Sequence, residues 1–359
     1  MKTSLDRFLF ETEQLEQYIR FNESLGEIIK YTPSQSDSQE LKEKLLNTKT
    51  IVNSLTFKKV FEYNSIIVSM YGFFEKFIED ILVAYLEKLC DYVQSYDSLP
   101  KIIKENHSIL SAQLIQNLKL PKYEHENIPK IVSKLENCVN KNISDLNTIA
   151  FTDHSSNFRI NSIAEFFSRI GITSIGTRIK NNTDFKKFLV QRLGSDLNIH
   201  QTEDSIIFII LGDLAQRRND ISHGANNGNA ILNSSFFPEY FTFLRQFSKA
   251  LLCVLADILL EFECKKYFKS AILVAIYNHN ILCLDLTNID LKIGSRIIVK
   301  SGSANNSSYF ELLVEEIQID NKPIDSITIG DDSTKVGLKL NGRVKMNQEF
   351  FVKKNKKSA

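Results

Sequence analysis

From the N-terminus to about residue 267, apolar residues recur at three- and four-residue spacing, the pattern of helices that bury one face. A first helix is predicted from Ser4 to about Lys30, with Leu5, Phe8, Leu9, Leu15, Tyr18, Ile19 and Leu25 on one broad stripe. The polar segment Thr32–Ser38 breaks it, and a second helical run covers about Glu40–Leu55. A third, about Val60–Val93, is apolar nearly all round (Ile66, Ile67, Met70, Tyr71, Phe73, Phe74, Phe77, Ile78, Ile81, Leu82), as expected of a central packed helix. Its charged Glu75 and Lys76 read as an edge of that helix rather than as cleft residues. Pro100, Pro121 and Pro129 punctuate the next stretch.

Further on, Ser162 is the expected N-cap of a helix through Ile170, with Glu165 completing a capping box and Gly171 ending it. Helices are then predicted over about Ser205–Ser222 and Pro238–Tyr267, joined by the polar loop Gly224–Ser235.

Near residue 268 the pattern changes. Short β-branched runs now alternate with Gly, Asn, Asp and Ser turns. Strands are predicted at Ile272–Tyr277, Ile281–Asp285, Arg296–Lys300, Tyr309–Ile319, Lys335–Leu340 and Glu349–Val352, with turns between them, including Ser301–Ser307. Six short strands without a helix suggest a small closed barrel. The fold class is therefore α+β and multidomain: an all-α bundle over residues 1–267 and a small β-barrel with a basic tail over 268–359.

Charge sharpens this division. Net charge over the whole chain is +1, but residues 265–359 hold 15 Lys/Arg against 10 Asp/Glu. A basic C-terminal module can meet a polyanion or merely carry a solvated tail; Lys353, Lys354, Lys356 and Lys357 supply most of the excess. The five cysteines form no C-x-x-C pair, so neither a disulfide framework nor a thiolate metal site is expected. No uninterrupted apolar run reaches the roughly 18 residues of a membrane span, and no secretory leader is evident, so a cytoplasmic protein without membrane contact is expected. His107, His125, His154, His200 and His279 lack partners at ligand spacing and read as surface or loop residues. There is no phosphate-binding glycine loop, and no cofactor or metal is expected.

The chemistry is concentrated in Gln216-Arg217-Arg218-Asn219-Asp220-Ile221-Ser222-His223-Gly224. Arg218 and His223 lie five residues apart, about 140° around a regular helix. They converge only if the helix ends and the chain turns, for which Gly224 is suited, or if they meet counterparts across a two-fold axis. Histidine can take a proton from a ribose 2′-OH or give one to a leaving 5′-oxygen near neutral pH. An always-charged guanidinium can stabilise the phosphoryl oxygens as their charge develops. Asn219 can orient the histidine or hold a phosphate oxygen. In the plainer reading Arg218 is an ion-pair residue, with Asp213 or Asp220 nearby, and His223 is a helix cap. Arg217, about 100° away on the helix, is expected to meet RNA or solvent rather than the scissile phosphate.

An apolar helix before the arginine, a polar residue after it, His-Gly at the helix end and a long apolar helix afterwards together resemble the HEPN superfamily of all-α ribonucleases, in its RiboL-PSP/MAE type, whose motif is R-x4–6-H. Tyr63–Leu82 resembles the first core helix of several HEPN families, and Asn157–Gly171 the helix before the motif in subfamilies linked to RNA repair and phage defence. The resemblance covers roughly residues 1–265. It implies a homodimer with a composite active site, catalysis by Arg218, Asn219 and His223, and a toxin or phage-defence role on tRNA or other translation-linked RNA, with an antitoxin or regulatory partner in view. A non-catalytic RNA-binding adaptor, or a sensor or regulatory subunit, is the alternative.

Within the β-rich part, Val336-Gly337-Leu338-Lys339-Leu340 and Lys292-Ile293-Gly294-Ser295-Arg296-Ile297 resemble the barrel that follows the nucleotide-binding domain of translational GTPases such as elongation factor Tu. Ser295 and Asn347 depart from that pattern, standing where an acid and a glycine are usual. This resemblance implies docking on structured RNA or on a translation partner, against a role in dimer contacts or as a regulatory lid. Lys335, Lys339 and Arg343, with Arg217, are the candidate RNA-binding residues.

Overall fold

Helix α1 spans Lys2–Lys30, α2 Gln39–Ser54 and α3 Lys58–Tyr92. These fall where the apolar spacing puts them, and in α3 the residues from Tyr63 to Leu89 include thirteen buried side chains at helical spacing. The computed structural model describes residues 1–194, 198–199, 201–224, 231–302 and 308–354. His200, Lys356, Lys357, most of the Ser301–Ser307 turn and half of the Gly224–Ser235 loop lie outside them.

The proline-punctuated stretch forms α4 (Lys101–Gln116) and α5 (Ile128–Val139). Pro100 immediately precedes α4 and Pro129 sits in the first turn of α5, where a missing N–H costs nothing. His107 corrects the expectation of a surface residue: it is fully buried, accepts the Asn147 N–H at 3.0 Å and stacks on Phe151.

Helix α6 is Ile160–Ser168, with Arg159 as its N-cap, three residues earlier than the predicted Ser162. Ser162 lies inside the first turn, where its hydroxyl accepts the Arg159 N–H at 2.8 Å and donates to the Asn157 carbonyl at 2.7 Å. That hydroxyl ties the helix to the segment before it instead of opening the helix. Gly171 does end the segment, at φ 82°, and a Cβ there would stand 2.8 Å from Ile102. Helices α7 (Ile175–Asn181) and α8 (Thr183–Leu193) follow, with the Asn182 side chain capping α8.

The predicted 205–222 helix is divided into α9 (Asp204–Ile207) and α10 (Ile209–Ser222). Phe208, between them, is buried and stacks on Phe185, with Phe243 and Phe247 edge-on to it. Packing a ring of this size outweighs the continuity of one helix. Helix α11 is Phe237–Tyr267. Phe8, Phe74, Phe77, Phe185, Phe208, Phe243 and Phe247 thus form an aromatic core. Among the described residues no helix is long and apolar enough to cross a membrane.

The strands are β1 (Phe268–Ser270), β2 (Ile272–Tyr277), β3 (Ile281–Leu286), β4 (Ile289–Lys292), β5 (Arg296–Ser301), β6 (Ser308–Ile319), β7 (Lys322–Ile324), β8 (Ser326–Ile329), β9 (Thr334–Leu340) and β10 (Glu349–Lys353). All pairings are antiparallel, in the order β1-β10-β5-β6-β9-β3-β2 with β7 on β6, and β4 pairs with β8 separately. The result is a half-barrel. Its end strands β1 and β2 are successive in the chain, and Ala271 between them donates its N–H to Phe350 O, so the sheet path returns to the segment where it starts. Period-two alternation fills the inside with Leu282, Leu284, Ile297, Val299, Val336, Leu338 and Leu340. The four strands the pattern missed, β1, β4, β7 and β8, are three or four residues long, too short to alternate visibly, and Pro323 places β7 at an edge.

By packing, the chain forms two units: 1–86, 100–135 and 146–252 in one, and 87–99, 136–145 and 253–359 in the other. The change from helix to strand at Phe268 therefore lies within the second unit.

Candidate functional site

The last turns of α10 carry the Arg-to-His motif. His223 is the C-cap of that helix, its N–H donating to Asn219 O at 2.9 Å, and Gly224 leaves it at φ 66°, a left-handed conformation suited to glycine. The turn expected after the helix is present. Arg218 and Asn219 line an open groove of about 580 Å³ with Ser155, Ser156, Asn157, Arg159, Asn161, Ser162 and Glu165. His223 is exposed and is not among the residues lining this groove.

Arg218 is half-buried, with its guanidinium 5.6 Å from the centre of the Tyr71 ring. Neither acid of the plainer reading pairs with it. Asp213 holds Arg217 at 2.6 Å, and Asp220 accepts from Gln216 at 2.8 Å. Among the described residues the Arg218 guanidinium makes no hydrogen bond or ion pair, so its donors remain available on the groove side.

Arg217 corrects the expectation of an RNA- or solvent-facing residue. Its Nε donates to Asp213 and its Nη1 to the Tyr63 hydroxyl at 2.9 Å, while Tyr240 donates to the same Asp213 carboxylate. Although burial opposes its charge, bonds to Asp213, Tyr63 and Tyr240 hold the guanidinium above its ordinary pKa. Burial and then the Asp213 carboxylate push the Tyr240 phenol up. One hundred degrees of helix rotation separates a cation committed to the fold from one facing the groove.

The groove wall is held by α3. Tyr71, Glu75 and Glu79 follow one another at four-residue spacing, so they share one face of the helix. The Tyr71 hydroxyl accepts the Phe158 N–H at 2.9 Å and donates to Glu75 at 3.2 Å. Burial, with the Glu75 charge behind it, pushes that phenol well up. His154 lies in the loop before α6, in keeping with the expectation of a surface or loop residue, but its side chain is only 13% exposed. Its Nε2 lies 3.0 Å from Glu79 Oε1 and its Nδ1 3.0 Å from Ser156 O, and its ring packs 4.3 Å from Phe158. Lys122 adds an ion pair to Glu79 at 2.6 Å. Burial works against the Glu79 charge, but the bonds from His154 and Lys122 outweigh it and hold the carboxyl below its ordinary value. Lys76 pairs with Asp80 at 2.7 Å, in keeping with a charged helix edge.

Arg159, which spacing alone did not single out, also lines the groove and donates to Gln216 at 2.8 Å. Asn157 donates its amide N–H to Asn219 Oδ1. The available clue to the wall was Tyr71, Glu75 and Glu79 at four-residue spacing within the apolar stretch of α3.

The sequence profile of the RiboL-PSP-HEPN family matches residues 33–257, a span holding the groove, its α3 support and the whole Arg218–His223 motif. The chain belongs to this family. Membership ties it to RNA, as a nuclease or as a binder. No curated protein matches the chain. The RiboL-PSP-HEPN match ends before the strands begin, so the half-barrel's resemblance to elongation-factor barrels stands apart from it. There Lys335 and Lys339 lie exposed on β9 and Arg343 exposed in the turn beyond it. Lys335 is paired in register with Asp285, and Lys339 lies beside Glu316 with Glu315 at 3.9 Å.

Proposed function

We propose that this protein is a metal-independent endoribonuclease that cleaves RNA by attack of a ribose 2′-OH on the adjoining phosphate. The observation that carries the reading is an Arg218 guanidinium with no hydrogen-bond or ion-pair partner among the described residues, set beside Asn219 and Arg159 in an open groove. Such a pocket of fixed donors suits a phosphoryl group gathering negative charge. His223 removes the 2′-OH proton and, once charged, returns one to the departing 5′-oxygen, so the proton count balances without a metal-bound water. The products are a 2′,3′-cyclic phosphate and a 5′-hydroxyl. Because His223 lies outside the groove of its own chain, a second copy supplies it in a two-fold composite site. The setting is cytoplasmic, the substrate tRNA or another translation-linked RNA, and the role that of a toxin or phage-defence effector held in check by an antitoxin or regulatory partner. The half-barrel serves to dock structured RNA or a translation partner.

The test is incubation of purified protein with total tRNA in EDTA beside an Arg218→Ala/His223→Ala double variant, with mapping of new ends. Cleavage by the wild type alone, leaving 2′,3′-cyclic phosphates, supports the reading. A folded, RNA-binding protein that leaves every RNA intact overturns it in favour of a non-catalytic RNA-binding adaptor or sensor subunit.

A further inference from the structure

The groove contains a feature that phosphate chemistry leaves unused. Asn157 is fixed at the wall: its carbonyl accepts from the Ser162 hydroxyl at 2.7 Å and from the Arg159 N–H at 3.0 Å, and the next residue, Phe158, is held by Tyr71. Its side-chain N–H donates to Asn219 Oδ1. A carboxamide carries one acceptor oxygen and two amide hydrogens. Once the two amides are joined in this way, Asn157 Oδ1 and Asn219 Nδ2 are left without partners among the described residues, on two groove-lining side chains. The groove therefore offers both an acceptor oxygen, on Asn157, and an amide donor, on Asn219, beside the Arg218 guanidinium.

A phosphate ester has acceptors only, so Asn157 Oδ1 has nothing to receive from it. The edges of unpaired RNA bases display donors and acceptors side by side, and unstacked bases are what sequence-specific RNA binders read. We propose that Asn157 and Asn219 form a base-reading pair that selects the nucleotide next to the phosphate held by Arg218. The inference rests on the RNA-directed reading of the groove. It makes Asn157 a specificity residue and gives Asn219 a contact beyond phosphate or histidine.

The pair's chemistry makes the inference testable without cleavage. Asn157→Asp leaves an acceptor-only side chain, so Asn219 must turn its own Nδ2 inward to keep the bond, and its oxygen then faces the groove. The readout changes from acceptor plus donor to two acceptors. Asn157→Ala removes the pair while leaving the surrounding backbone bonds in place.

Random-sequence single-stranded RNA is bound to full-length protein carrying His223→Ala, which keeps the RNA whole, and the bound pool is sequenced. The same is done with Asn157→Asp and with Asn157→Ala in that background. The parent is expected to enrich one base about tenfold at a single position. Asn157→Asp changes which base is enriched, Asn157→Ala flattens the enrichment, and total affinity stays within about threefold. The same enrichment in all three proteins, no enrichment in the parent, or a uniform loss of RNA binding overturns base reading. Cleavage of tRNA by the wild type is scored separately, so a failed nuclease reading is distinguishable from a failed base-reading pair.

Discussion

The groove at the end of α10 and the outer face of β9 both display cations that the sequence marked as candidates for RNA chemistry, but they treat those cations differently. In the groove, Arg218 stands over the Tyr71 ring with its donors unpaired among the described residues, and Tyr71 and His154 hold the 156–158 segment, whose Ser156 and Asn157 line it. On β9, Lys335 and Lys339 alternate outward with period two, and each has an acidic neighbour across the strands, Asp285 for one and Glu315 and Glu316 for the other. A strand positions side chains by its pleat alone, whereas convergence on one point needs several elements packed together. The number of cations does not distinguish a binding site from a solvated face; what surrounds each cation does.

The strongest way to sharpen this contrast is Arg217→Ala. If the helix face decides the role, this change costs stability rather than RNA contact, because it leaves the Asp213 carboxylate and the Tyr63 hydroxyl short of a partner. A loss of about 2 kcal/mol is expected. Calorimetry should then show Tm lower by roughly 4–8 °C for a domain of this size. RNA affinity at a temperature where the variant stays folded should be unchanged, and a fall in affinity without a fall in Tm would break the assignment.

A second test concerns the wall. The pKa of Glu79 is depressed in the folded state, so the stability it contributes is fully present above the ordinary carboxylate range and is lost as pH falls through the depressed folded value. Urea unfolding across acidic pH should show the wild type losing stability on that limb. Glu79→Gln should be less stable near neutrality and flatter in acid. Parallel acid limbs in the two proteins would remove His154–Glu79–Lys122 as the support of the groove.

The smallest effect is expected on the barrel. Lys335→Ala, Lys339→Ala and Arg343→Ala together should weaken RNA binding only a few-fold and lower the slope of log affinity against log salt by less than the roughly one unit per cation that full phosphate contacts give. A drop of about three units would mean that the acidic neighbours do not spoil this face and that the barrel is a principal RNA surface.

Much of this molecule was legible in its sequence. Helical spacing located α1, α2, α3 and α11, short β-branched runs between turn residues located the six longer strands, and the Arg218–His223 spacing in its helical context pointed to the family that residues 33–257 match. These signals are local: a periodic apolar face or a motif on one helix needs no knowledge of what packs against it. The division of α9 from α10 was not legible, because it depends on a cavity for Phe208 built by Phe185, Phe243 and Phe247 from distant parts of the chain. Nor were the burial of His107 and His154, the inward turn of Arg217, or the meeting of Asn157 with Asn219 across 62 residues. The sequence by itself determined which side chains are available and which face of each element they share. Which hydrogen bonds those side chains make, and so which of two adjacent arginines faces the groove, was decided by tertiary packing, because only folding sets the partners of a buried polar group.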